Sequence, residues 1–528
     1  MPASQISPPL PSPSSSARER LRAFLDARGR AKDPVDDLEQ FERELHALFA
    51  AAEAEVVAEE LARLDVDLPA ITIDDLAHRQ VLRCEQTYMT AAGPARVLRS
   101  LYSTRHVGDR AECAMELRAG VIGGFWTPLA AKQATWVVAH LTPQEGEDLF
   151  GLLGGMKPSK SSLDRLPKDV SARWEKERVK FEAALRAVEQ VPKAAATVAV
   201  SLDGVLVPMK DEEHRAKRAR AAAEGKLACG PAGFKEVGCA TLSLYDADGD
   251  RLHTVRLARM PEHKKATLKA SLTQELKAVL AQRPDLKVVT LADGAKDNWR
   301  YLDWELPADS TAIADFYHVA EHLHAALAAA YGESDPRCQA QFEKLRHLLR
   351  HDRRGAARVI RALAHLRDRY PRRKKVATEL AFFRGNRHRM RYAEWAAKGL
   401  PIGSGVTEAA CKTLATQRMK RSGMHWRHDG GQSILTFRAL AQSDRFERGW
   451  AMVASTYKRH VTFPKNVIPL SARRRRRGVN MRPTPMTHQR TRNRSSGISR
   501  AGHTSLPCGA DAVGPGRWTR SVRMDCTS

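Results

Sequence analysis

The stretch AATVAVSLDGVLVPM, residues 195–209, is where the chain changes character. Charged helical sequence gives way to a run rich in valine and small apolar residues, which predicts a strand with Asp203 inside it. The next segment, EVGCATLSLYDADGDRLHTVRLARM (236–260), reads as two strands joined by a turn at Asp248-Gly249. Leu268, Leu272, Leu276, Val279 and Leu280 then recur at helical spacing and predict an amphipathic helix over 264–283. LKVVTLADG (286–294) is a short buried strand ending at Asp293, and STAIADFYHVAEHLHAALAAAYG (310–332) starts as a strand and becomes a helix at Asp315. Three consecutive strands, followed by alternating helices and strands, predict a mixed sheet with helices on its faces.

Downstream, residues 334–398 carry no strand signal. Leu345, Leu348 and Leu349, then Val359, Ile360, Leu363 and Leu366, mark helices, so an all-helical insertion is expected. It is followed by GLPIGSGVTEAACKTLATQRMKRSGMHW (399–426) and by a helix in GGQSILTFRALAQSDRFERGW (430–450). Upstream, 35–63 reads as helix and ARVLRSLYSTRHV (95–107) has the character of a hairpin strand. The segment 141–170 has the rhythm of a helix-turn-helix, with Thr142 and Ser159 as caps and Lys160, Ser161 and Arg165 offered to a groove. An ordinary helical hairpin has the same pattern. A charged connecting helix is expected at 172–191.

The chain has 528 residues, more than one core holds, and 43% are hydrophobic. Its formal charge is +26, which favours a polyanionic partner through phosphate neutralisation and counterion release. Nucleic acid is the first such partner and an anionic membrane surface the second. Residues 465–528 hold 14 Lys/Arg against 2 Asp/Glu, including Arg473 to Arg477, and are expected to be a disordered basic tail. No stretch approaches a membrane span, and the Ser/Pro-rich start lacks the apolar core of a signal peptide, so a cytoplasmic, nucleoid-associated protein is expected. The eight cysteines form no CxxC pair.

Three acids occupy telling positions: Asp203 in the first strand, Asp293 at the end of the fourth, and Glu408 just after Gly403-Ser404-Gly405. Each has a plain structural alternative. Asp203-Gly204 and Asp293-Gly294 both suit hairpin turns. Glu408 suits the third position of a helix capped by Gly405, where a carboxylate meets free N–H groups and the helix dipole. Taken together, the order first strand, fourth strand, later helix is where a ribonuclease-H-like fold gathers carboxylates at one sheet edge. Such a cluster needs cations, and two Mg²⁺ (or Mn²⁺) ions suit hard oxygen ligands and an in-line phosphoryl displacement. Lys412, Arg418, Lys420 and Arg421 follow the Glu and are candidate phosphate contacts, with a solvated helix face as the alternative. Trp426 is a candidate DNA contact, although Trp299, Trp304, Trp395 and Trp426 all suit packing.

SLDG, ADGAKDNW, DFYHVAEHL and the 399–426 and 430–450 segments together resemble DDE transposases of bacterial insertion sequences, of the ISKra-four type, related more loosely to Mutator-like transposases. The resemblance spans roughly 195–450. It implies a DNA transposase that uses metal ions to cleave at the ends of an insertion sequence and transfer a strand. Asp203, Asp293 and Glu408 would be the catalytic, metal-binding acids. His318, in Asp315-Phe316-Tyr317-His318, would stand near them. Double-stranded DNA at element ends and target is the implied partner, with a homodimer or larger assembly on it.

The expected division is then a disordered 1–20, a mainly helical 21–192, a ribonuclease-H-like catalytic core over 193–333, a helical insertion over 334–400, a second core part with the Glu helix over 401–464, and the tail. Two other readings stand beside this one. A transposase-derived DNA-binding protein without catalysis would keep the same sequence features. HVAEH (318–322) matches H-x-x-E-H, which would make His318 and His322 zinc ligands, Glu321 a peptidase base and Glu394 a third ligand.

Overall fold

The computed structural model describes residues 16–463 except 105–109, 211 and 227–232. The basic tail, including Arg473 to Arg477, lies outside the described residues, as does most of the Ser/Pro-rich start. The helix Ala17–Arg30 begins inside that start, closed by a reciprocal Ser16/Glu19 capping box.

The first part of the chain holds strands as well as helices. β1 (Ala70–Ile73), β2 (Leu76–Thr90), β3 (Gly93–Ser103) and β4 (Glu112–Cys113) pair antiparallel in sequence order. The region is mainly helical, as expected, and carries in addition a small antiparallel sheet that the sequence does not announce. The missed strand β2 is largely polar and mostly unburied until its last residues, so it lacks a clean alternation.

The mixed sheet expected after residue 195 is present element by element. β5 (Thr197–Pro208), β6 (Phe234–Tyr245) and β7 (Arg251–Arg259) form an antiparallel meander. The helix Ala266–Gln282 leads to β8 (Lys287–Ala292), and the helix Lys296–Trp304 to β9 (Thr311–Ala314). The sheet order is β7-β6-β5-β8-β9, with β8 parallel to β5 and β9 parallel to β8. This mixed sheet with flanking helices is a ribonuclease-H-like fold, interrupted after the helix Phe316–Tyr331 by an all-helical insertion. A final strand, β10 (Val461–Thr462), returns to pair with β1.

Two helix boundaries differ from expectation. The second helix of the candidate helix-turn-helix does not stop near 170. It runs from Lys160 to Val188 through a buried Pro167, and so absorbs the connecting helix. Conversely, the 430–450 helix is two helices, His428–Gln442 and Phe446–Ser455, broken where Asp444 takes a positive φ of 56°.

The largest core joins the ribonuclease-H-like sheet to the insertion, through Val200, Leu291, Leu323 and Phe383 among others. A second core joins distant parts of the chain. Leu163, Trp174 and Phe181 from the long helix pack with Ile434, Phe437, Phe446 and Trp450 from the last two helices. The boundary expected at 192/193 thus runs through shared packing.

Candidate active site

Strand register places the first two acids. In parallel β5 and β8, Ser201 pairs with Leu291, so the residues two further on, Asp203 and Asp293, stand opposite each other and on one face. Asp203 lies inside β5, paired with Cys239 of β6, which rules out the hairpin-turn alternative at this position. Asp293 follows the last residue of β8. Its Oδ1 accepts from the Ala295 amide (3.0 Å) and from Asn298 Nδ2 (3.4 Å), which starts the next helix.

The insertion holds this turn in place. Trp299 Nε1 donates to the Asp293 carbonyl (2.5 Å), and the Arg389 guanidinium stacks 3.9 Å from the Trp299 ring. Gly294 is packed so closely that an added Cβ would lie 2.7 Å from the Phe382 ring. Of the remaining tryptophans, Trp395 is buried as expected, whereas Trp304 is 83% exposed and serves no core.

Glu408 arrives on the helix Gly405–Ala410, whose N-cap is Ser404 rather than Gly405. The helix is pinned to the sheet by a buried hydrogen bond between Thr407 Oγ1 and Thr241 Oγ1 of β6 (2.6 Å). It continues through a π-helical turn, Cys411–Thr416, whose Cys411 and Leu414 pack against Val207, Val237 and Cys239. Cys411 Sγ donates to Asp203 Oδ2 at 3.6 Å. Glu408 precedes Cys411 by one turn and shares its helix face, so the helix presents Glu408 alongside the Asp203 edge. The Glu408 side chain is exposed and has no hydrogen bond or ion pair among the described residues.

Burial pushes the Asp203 carboxyl above the ordinary carboxylate value, and the neighbouring Asp293 carboxylate adds to the rise. The Gly204 amide, the Cys411 thiol and Lys265 oppose it. Hydrogen bonding with Cys239, together with burial, pushes the Cys411 thiol well up, so it stays a neutral donor. Lys265 reaches Asp203's carbonyl oxygen at 3.5 Å and Glu236 Oε1 at 2.9 Å. Lys264 and Lys265 both have positive φ, 52° and 55°, a strained pair beside the candidate site. Sequence reading missed them because nothing in MPEHKK signals a left-handed turn.

Asp315 has a structural task. Its Oδ1 accepts from the His318 amide (2.7 Å) and its Oδ2 from the Ser404 amide. The Phe316 amide donates to Ile402 O (3.0 Å). Asp315 is thus the N-cap of one helix and the anchor of the Gly-Ser-Gly turn that starts the Glu408 helix. Gly403 stays small because a Cβ there would meet the Tyr317 ring at 3.0 Å. His318 is exposed, with Nδ1 3.8 Å from Glu321.

Among the described residues no three His, Cys, Asp or Glu side chains stand close enough to hold an ion as they are. Asp203 and Asp293 nonetheless form a like-charged pair of hard oxygen donors, a donor set that fits Mg²⁺ or Mn²⁺. The zinc alternative fares differently. His322 Nδ1 faces Glu379 at 2.6 Å, with its ring stacked on Phe382, and Glu394 pairs with Arg391. His322 is therefore part of the insertion's packing, and Glu394 is no third ligand.

The candidate DNA contacts separate. Lys412 and Lys420 are exposed. Arg421 is bound to both oxygens of Glu145 at 2.6 Å. Arg418 is 2% exposed, with Nε and Nη2 each 3.4 Å from Val138 O. Trp426 donates Nε1 to Met419 O (2.9 Å), and its backbone pairs with Pro208 and Lys210, so it pegs this segment to the end of β5. The first helix of the candidate helix-turn-helix, Pro143–Leu153, does carry the expected Thr142 cap, and Ser159 caps the second.

No family model and no curated protein matches the chain. Among solved structures it is similar to one described as a Drosophila P element transposase strand transfer complex, at 12% identity over 63% of this chain and 82% of that chain. The TM-score is 0.23, which carries no argument; the fold rests on its own strand order. Among the described residues no helix is long and apolar enough to cross a membrane.

Proposed function

We propose that this chain is a DNA transposase of the DDE type, cutting phosphodiester bonds at the ends of an insertion sequence and transferring a strand. The observation that carries the proposal is the register that sets Asp203 beside Asp293 at the carboxyl edge of a ribonuclease-H-like sheet. The Thr241–Thr407 bond and the Cys411–Asp203 contact, which bring the Glu408 helix to the same edge, support it.

Asp203 and Asp293 would hold divalent metal, two ions per site, with Glu408 completing the set. Bound Mg²⁺ or Mn²⁺ supplies an activated water or 3′-hydroxyl and charge stabilisation on the leaving oxygen. The chain's own part is positional. Asn298 and Trp299 fix the Asp293 turn, Cys411 and the Gly204 amide fix the Asp203 carboxylate, and Asp315 fixes the start of the Glu408 helix. Lys412 and Lys420, both exposed next to the Glu, would meet backbone phosphates, as would the basic tail. Joining two DNA ends calls for at least two copies of the chain.

The test is nicking of a supercoiled plasmid carrying the element's ends, in Mg²⁺, Mn²⁺ or EDTA. Wild type should nick only with metal. Glu408→Gln should abolish nicking and keep gel-shift affinity. Binding by both proteins without nicking under any metal would replace this reading with that of a DNA-binding protein lacking catalysis.

A further inference from the structure

A guanidinium carries its charge at any physiological pH, so one that is buried normally meets a carboxylate. Arg445 follows that rule, held between Glu189 and Glu275. Arg418 does not. It is 2% exposed and has no ion pair among the described residues. Its hydrogen bonds are the two long ones to Val138 O and a 4.0 Å approach of Nη1 to Met424 Sδ. The Trp426 ring lies 5.3 Å away. Burial, with Arg421 and Arg438 nearby, brings its pKa down to about 10.

Arg418 also lines the wall of a cleft of about 590 Å³. The cleft lies between the helix-turn-helix-like pair, which contributes Thr142, Asp164 and Lys168, and the loop leaving the Glu408 helix, which contributes His425 and Arg427. Lys210, just beyond β5, joins them. Four cations line the cleft against two acids, Asp164 and Asp429, and Asp164 is already engaged by Lys168 at 2.6 Å. Lys210 and Arg427 are exposed and have no side-chain partner among the described residues.

We propose that this cleft is an anion receptor for the phosphate of a nucleotide unit, with Arg418 as its buried charge and Lys210 and Arg427 at its mouth. An anion on Arg418 supplies the missing countercharge, and a cleft of this size admits a nucleotide rather than a bare ion alone. The site lies apart from the Asp203–Asp293 edge and needs no metal. Only the source of the phosphate, a DNA strand, rests on the transposase reading.

The experiment is titration calorimetry of the full chain in EDTA with inorganic phosphate, a deoxynucleoside monophosphate, and a single strand of about twelve nucleotides, long enough to span one groove-sized site. Wild type is compared with the double variant Lys210→Gln/Arg427→Gln and with Arg418→Met. The double variant should weaken strand binding about tenfold or more and flatten the salt dependence of log K by about 0.7 for each phosphate that is no longer neutralised. Its melting temperature should match wild type, since both side chains are exposed and unpaired among the described residues. Arg418→Met also removes packing, so the double variant decides the matter. Monophosphate binding of the same sensitivity means a free nucleotide also fits; binding of the strand alone means the cleft takes DNA. Affinity and salt slope unchanged in the double variant would overturn the cleft proposal. Metal-dependent nicking tests the transposase reading separately.

Discussion

Replacing Asp203 by asparagine should make the metal-free protein more stable while abolishing the nicking proposed for it. Asp203 and Asp293 stand opposite each other on adjacent parallel strands, and strand spacing sets the two carboxylates ~5 Å apart. At an effective dielectric of about 20 their repulsion is ~3 kcal/mol. Both groups are half-buried, so solvent removes about half, leaving ~1–2 kcal/mol. The sign follows from the raised Asp203 carboxyl. Its contribution to stability is fully present below the ordinary carboxyl pKa and is lost as pH rises through the folded value. Once the Asp203 carboxyl is ionised its charge beside Asp293 therefore costs stability, and Asp203→Asn relieves it. In EDTA at neutral pH the variant should melt about 2 °C above wild type, and the gap should close as pH falls towards the carboxyl range. Mg²⁺ should raise the melting temperature of wild type and not of Asp203→Asn. A variant that melts at or below wild type in EDTA would refute the reasoning, because the carboxylate would then be stabilised by its Gly204 and Cys411 partners more than it is repelled.

Other outcomes follow from the same structure. Arg445→Met removes one of the two cations on Glu275, whose side chain is 3% exposed, leaving Arg186 at 3.3 Å, and should cost ~2 kcal/mol, read as a drop in melting temperature. Asp315→Ala leaves the Ser404 and His318 amides without their acceptor and should cost ~1–3 kcal/mol. It should also slow nicking more than it weakens DNA binding, since the turn that starts the Glu408 helix is released. Purified protein should hold no stoichiometric zinc by atomic emission, and His318→Ala should leave its metal content unchanged. Removing residues 465–528, which carry a net +12, should weaken non-specific DNA binding and flatten its salt dependence, measured by fluorescence anisotropy.

The sheet was legible because each of its strands has a compact apolar run and a turn or helix signal on either side. The parallel register was not, yet it follows once β5 and β8 are neighbours, and it sets Asp203 beside Asp293; the pairing of Asp203 with Cys239 is what separates that reading from a hairpin turn. The N-terminal sheet stayed hidden because β2 is polar along most of its length. The break at Ser443–Arg445 stayed hidden because no glycine or proline marks it; the left-handed residue is Asp444, a type that tolerates that conformation. Among the basic residues after Glu408, sequence gives charge but not burial. Arg418, Lys420 and Arg421 look alike along the QRMKRSG stretch, and only packing shows one to be buried, one exposed and one paired to Glu145.

The position of the Glu408 helix is set from both ends of the chain. Its N-terminus is tied by Asp315 to the last strand of the sheet, and its first turn by Thr407 to β6. Beyond the π-helical turn, Arg418 and Arg438 donate to Val138 and Ala139 carbonyls of the helix Pro128–His140, and Arg421 binds Glu145 of the capping box on the helix Pro143–Leu153. The N-terminal helices therefore form the far wall against which the Glu408 segment is held. The shared core of Leu163, Trp174, Ile434, Phe437 and Trp450 makes that wall inseparable from the sheet's own covering helices. A fragment beginning at 193 would both expose this apolar surface and lose the wall. The proposed Arg418 cleft and Glu408 thus stand on one continuous segment, held against that wall at one end and against the sheet at the other.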